Sequence, residues 1–146
     1  MKSFPTKEYT WIEEPRLREQ EWGLLRSLDQ CRLVDQQRDA YATFYFRIPD
    51  GESAADVYDR VSDFFHTLFR DFAKPSFPDN AVMVTHGMTM RLFLMRWFHY
   101  TVTEFEQLCN PLNCDIVVME LQDNGKYKLV TDLKKREPTH GWKLEA

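Results

Sequence analysis

The chain has 146 residues, 43% of them apolar and 14% aromatic, which suits one domain with its own core and excludes a disordered segment. A net charge of −4 argues against a nucleic-acid partner, and Arg91 and Arg96 interrupt the longest apolar run, so no membrane span is expected. Cys31, Cys109 and Cys114 are odd in number and lack Cys-x-x-Cys spacing, so they read as reduced thiols of a cytoplasmic protein with no metal site.

Met1 to Lys7 carries no apolar signal core. Tyr9-Thr-Trp-Ile12 is β-prone, and Pro15 closes it by pushing Glu14 away from helical angles. Arg16 to Gly23 has no clean period and ends in glycine, which predicts a strand exit or loop. Its charges suit a solvated loop, or a loop that presents Glu19 and an arginine at a site. Leu24 to Tyr41 places Leu24, Leu28 and Cys31 at helical spacing and predicts a polar surface helix. Thr43-Phe-Tyr-Phe-Arg-Ile48 suits either a strand or an irregular segment that plugs aromatics onto the core, and Pro49-Asp-Gly51 is a turn.

Ser53-Ala-Ala-Asp56 is a capping-box variant with aspartate at the third helical position. Val57, Val61, Phe64, Phe65, Leu68 and Phe72 then recur at helical spacing, which predicts a helix over Ala54–Phe72. Lys74 to Asp79 is a breaker loop. Ala81 to Val84 reads as a short buried strand, ending at Thr85-His86-Gly87 ahead of an apolar helix from Met88 to Tyr100. Strand, His-Gly, helix is the layout of a site at the carboxyl end of a sheet strand. Gly87 permits close approach of the backbone, the first helix amides attract anions, and Arg91 lies one turn along. Taken alone the dipeptide is a weak signal, and a local cap is the blander account of His86.

Thr103-Glu-Phe-Glu106 predicts a second capping box and a short helix that stops near Pro111. Asp115 to Leu121 reads as a strand, Asn124-Gly125 as a hairpin turn, and Tyr127 to Leu133 as the returning edge strand. A second Thr-His-Gly, at Thr139 to Gly141, follows no strand and is read as coincidence; His66 and His99 are read as surface or packed histidines.

Three blocks, in order, now resemble the histidine phosphatase superfamily, the phosphoglycerate mutase-like proteins. Leu17-Arg-Glu-Gln-Glu-Trp-Gly23 looks like the loop bearing that family's catalytic acid. Pro49 to Arg60 looks like its Glu-Ser helix start, and Val84-Thr-His-Gly-Met-Thr-Met-Arg91 like the motif of its second active-site histidine. The resemblance covers residues 9 to 133. It implies an α/β fold, a three-layer α/β/α sandwich around a mostly parallel sheet, with this chain as a single partial domain over 1–146 that lacks strands one and two. It implies Glu19 as general acid and then base, His86 as a phosphate ligand rather than the nucleophile, Gly87 as the turn, and Arg91 as a supporting phosphate contact. It implies hydrolysis or transfer of a phosphate monoester through a phosphohistidine in the complete enzyme, with no cofactor. The substrate would be a phosphorylated small molecule, and the partner a second copy or a completing N-terminal segment.

The chain departs from the family in containing no Arg-His-Gly triplet, which holds the family's nucleophile. The alternative reading is therefore an inactive homologue that binds phosphorylated ligands or a protein. A nucleotide-binding α/β domain built on the Gly87 turn ranks last, because the chain has neither a glycine-rich loop nor a Walker lysine.

Overall fold

A computed structural model of the chain describes residues 9–25 and 27–136. A 3-10 turn at Pro15–Leu17 precedes four helices: α1 (Leu28–Tyr41), α2 (Ala54–Phe72), α3 (Gly87–Phe98) and α4 (Val102–Gln107). They are followed by two short strands, β1 (Met119–Leu121) and β2 (Tyr127–Leu129). The described residues are thus mainly helical with a small sheet. The Thr139 to Gly141 triplet lies outside them.

Helix α2 has the predicted bounds because its start is specified twice. The Ser53 hydroxyl accepts the Asp56 amide at 3.2 Å, and the Asp56 carboxylate accepts the Ser53 amide at 2.7 Å. Its apolar stripe then buries Ala54, Val57, Val61, Phe64, Phe65 and Leu68. Helix α3 packs on α2 and brings Met88, Leu92, Phe93, Leu94 and Met95 to the core, which Phe44 and Phe105 complete. Each such side chain, fully buried, contributes about 1.5–3 kcal/mol. The Phe93 and Trp97 rings stack at 5.7 Å between centroids, and Phe65 meets both.

The remaining helices start later or earlier than their residues suggest. Helix α1 begins at Leu28, where the Ser27 hydroxyl accepts the Gln30 amide at 3.2 Å. Its single buried residue is Val34, as suits a polar surface helix. The second capping box is at Thr101 and Glu104, not at Thr103 and Glu106. His99 takes a left-handed conformation that ends α3, and Thr101 is the first residue placed to cap the next helix. Glu106 instead accepts the Phe44 amide at 2.7 Å. That contact helps lodge the Thr43 to Ile48 segment as an irregular plug, with Phe44 and Ile48 buried.

The strands depart furthest from expectation. β1 and β2 pair antiparallel around Gly125, with Met119 opposite Leu129 and Leu121 opposite Tyr127. The hairpin forms as predicted, but its ladder is only three residues long on each side. Ala81 to Val84 was expected to be a buried strand; it has no ladder, and Val82 and Val84 are 77% and 80% exposed. The β-prone run at Tyr9 to Ile12 is likewise irregular, with Trp11 and Ile12 exposed. These residues have β propensity, but propensity expresses packing on a sheet, and among the described residues no neighbouring strand supplies one.

Candidate active site

The loop after the 3-10 turn is fixed from several sides. Arg60, on α2, donates to the Arg16 carbonyl at 2.5 Å and to the Glu19 carbonyl at 3.0 Å. The same guanidinium holds the Glu52 carboxylate at 3.0 and 3.1 Å. Glu52 also takes Arg18 at 2.8 Å and accepts the Glu21 amide at 3.0 Å. Burial alone would raise the Glu52 carboxyl, but the Arg60 and Glu21 hydrogen bonds, with the nearby Arg60 and Arg18 charges, hold it below the ordinary carboxylate range. Gln20 is buried and donates to the Glu52 carbonyl at 2.8 Å.

The His-Gly turn is tied to the same loop. The Thr85 hydroxyl donates to the Leu17 carbonyl at 2.7 Å, and that of Thr89, fully buried on α3, donates to the Arg18 carbonyl at 2.8 Å. Thr85 and Thr89 flank His86, so these contacts register the helix start against the residues before Glu19. The outcome is that His86 Nδ1 stands 3.4 Å from Glu19 Oε2, both side chains about half exposed. His86 is the N-cap residue of α3 and makes no side-chain capping bond, leaving the imidazole directed elsewhere than at its own helix. A local cap is therefore not its role.

Gly87 is required by close packing. A Cβ there would lie 2.9 Å from Asn110 Cγ, so a side chain would displace Asn110 from the turn. Gly23, at φ +65°, closes the loop, and a Cβ there would meet the Pro49 carbonyl oxygen at 2.1 Å. Arg91 goes elsewhere. It is 4% exposed, donates to the Leu108 carbonyl at 2.6 Å, lies 4.8 Å from the Phe105 ring, and lines a cavity with Arg38 and Arg136. The structure thus brings Glu19, His86 and Gly87 together and turns Arg91 to a neighbouring cavity. His66 and His99 are exposed.

Sequence reasoning missed Arg60, Glu52, Thr85 and Thr89 as the residues that hold the pair. All four lie within the quoted motifs. The available signal was a threonine opening an apolar helix, and a Glu and Arg eight apart across a helix start. Among the described residues no group of three or more metal-binding side chains occurs, and no helix is long and apolar enough to cross a membrane.

A pair of acid and imidazole set on a loop and a helix N-terminus is suited to phosphate chemistry. The family described as the histidine phosphatase superfamily (branch 1) matches residues 4–132, and the chain belongs to it. It is similar to the phosphoglycerate mutase-like protein AT74H of Arabidopsis thaliana, 44% identical over 133 residues, covering 86% of this chain and 47% of that protein. It is similar also to the broad-range acid phosphatase DET1 of Saccharomyces cerevisiae, 45% identical over 134 residues, covering 88% of this chain and 40% of that protein. A metal-independent phosphoserine phosphatase of Arabidopsis thaliana is 26% identical over 117 residues, covering 77% of this chain and 46% of that protein. The chain spans less than half the length of these relatives. Its mixture of helices and a small sheet is consistent with a histidine phosphatase α/β fold.

Proposed function

We propose that this chain supplies the acid–base and phosphate-holding side of a histidine phosphatase site acting on phosphate monoesters, as one part of a three-layer α/β/α domain. The observation that carries this reading is the 3.4 Å approach of Glu19 and His86 at the start of α3. A nucleophilic histidine, on a segment bearing the Arg-His-Gly triplet this chain lacks, attacks phosphorus as the ester P–O bond breaks. The protonated Glu19 carboxyl gives its proton to the departing oxygen. His86 and the first amides of α3 hydrogen-bond the equatorial oxygens of the transferring group. Glu19, now a carboxylate, then takes a proton from water as that water attacks phosphorus and the P–N bond breaks, releasing phosphate. No metal or organic cofactor enters this sequence. The acid phosphatase among the relatives supports a phosphorylated substrate.

The missing triplet favours a second reading, in which the chain binds phosphorylated ligands or a protein without turnover. Losing a nucleophile can cost about a million-fold in turnover. Hydrolysis of p-nitrophenyl phosphate by the 146-residue chain, with and without a supplied Arg-His-Gly segment, tests both readings. No turnover alone, and turnover with the segment that Glu19→Gln and His86→Ala each remove, is expected for the first. Continued inactivity with the segment bound, together with intact vanadate binding, supports the second. Steady hydrolysis by the chain alone, abolished by His86→Ala, would overturn the assigned role of His86.

A further inference from the structure

The basic cavity beside the His-Gly turn belongs to no step of the reaction proposed above. It measures about 210 Å³ and is lined by Arg38, Arg91 and Arg136 together with Thr43 and Asn110. Three guanidinium groups around one small space repel one another unless anions balance them. Arg38 has a carboxylate, Asp35, at 3.0 Å. Arg136 has Glu106 at 3.8 Å, and its Nε donates to the Glu106 carbonyl at 2.7 Å. Arg91, the most deeply buried of the three, has none within ion-pair distance among the described residues. Its contacts are a carbonyl oxygen, the Met88 sulfur at 3.5 Å and the Phe105 ring.

The donors left over point the same way. The Nε–H groups of Arg91 and Arg38 are both buried and have no acceptor among the described residues. Buried donors ordinarily have partners, and an Arg fork matches the spacing of two oxygens on one tetrahedral or planar anion. Burial and the Arg136 and Arg38 charges, opposed by Glu106, push the Arg91 guanidinium down to about 10. An added anion would relieve each of these effects.

We propose that this cavity is a second anion site, taking a group of the size and charge of inorganic phosphate. Size selects among anions. Pockets that hold drug-sized molecules run to about 300–1,000 Å³, so this space suits a single phosphate or small carboxylate better than a whole nucleotide. The site stands against the active turn, because Asn110 both lines it and packs on Gly87. It does not depend on Glu19 or His86.

Equilibrium dialysis of the full chain against radiolabelled inorganic phosphate, with ionic strength fixed by chloride, tests the proposal whatever the assembly state. His86→Ala is expected to retain phosphate binding at the arginine cavity. Within that background, adding Arg38→Gln and Arg136→Gln is expected to weaken binding by about tenfold or more, since each removes a charge-assisted contact. Arg38→Gln alone leaves the Arg136 contact with Glu106 in place and is expected to weaken it several-fold, which keeps the test decisive if the triple variant does not fold. No phosphate binding by the His86→Ala chain, or binding unchanged by Arg38→Gln, would overturn the proposal. Failure of the hydrolysis assay above would leave it standing.

Discussion

Glu52 touches nothing that reacts, yet it joins the loop of Glu19 to α2. It holds Arg18, Arg60 and the Glu21 amide at once. Glu52→Gln removes the charge and leaves the shape, so the guanidinium of Arg60, 11% exposed, loses its carboxylate. The expected cost is about 1–3 kcal/mol, measured by urea unfolding at neutral pH. The pH dependence has a definite sign. The Glu52 pKa is lowered in the folded chain, so its contribution is present above the unfolded carboxylate value of about 4.3 and is lost as pH falls through the folded value. The wild type should therefore lose stability more steeply than Glu52→Gln as pH is lowered below about 4. Parallel acid limbs for the two proteins would mean Glu52 carries no such linkage.

At the scale of elements, the helices and the β1–β2 hairpin were legible, and the strands expected at Tyr9 to Ile12 and Ala81 to Val84 were not formed. The bounds of α2 followed from Ser53, Asp56 and a run of apolar residues at helical spacing, all local features, and the structure keeps them. Leu92→Ala on α3 should cost about 2–5 kcal/mol, because Leu92 is fully buried in the core shared with α2; a loss under about 1 kcal/mol would show that this core closes over the gap. The strand expected at Ala81 to Val84 failed for a reason the residues could not reveal. A valine run shows that a strand would be favourable, not that a partner lies beside it. The Glu19–His86 pair was legible through the family motifs, since each motif brought one member. Arg91 was placed by its spacing, one turn from Gly87, and by its position in the motif, which fix its height on the helix but not its face. Its side chain turned toward Phe105 and the Leu108 carbonyl instead. The hydroxyl contacts of Thr85 and Thr89 were illegible because they join residues about seventy positions apart.

At the scale of the whole molecule, several apolar side chains among the described residues stand in water. Val82, Val84 and Ile116 are each more than three-quarters exposed, and Val118 is 45% exposed. All four lie on segments outside the β1–β2 ladder. Their apolar side chains are in water, so the cost here is wet hydrophobic surface rather than unsatisfied buried hydrogen bonds. Covering each such side chain would contribute roughly 1.5–3 kcal/mol. Against a typical domain stability of about 5–15 kcal/mol, that gain is enough to drive association. The 81–84 segment, which has no ladder, also presents amides and carbonyls able to pair with another strand, whereas Ile116 and Val118 already bond the returning segment at Val130 and Thr131. The 146-residue chain alone is therefore expected to self-associate through residues 81–84 and 115–118, with a thermal melt that depends on protein concentration. Val84→Lys with Ile116→Lys should shift it toward monomer, since both residues are exposed and their replacement removes no core contact. Sedimentation equilibrium and melting of both proteins over a tenfold concentration range decide the matter. A monodisperse wild-type monomer with one sharp melt, independent of concentration, would show that these exposed side chains drive no association.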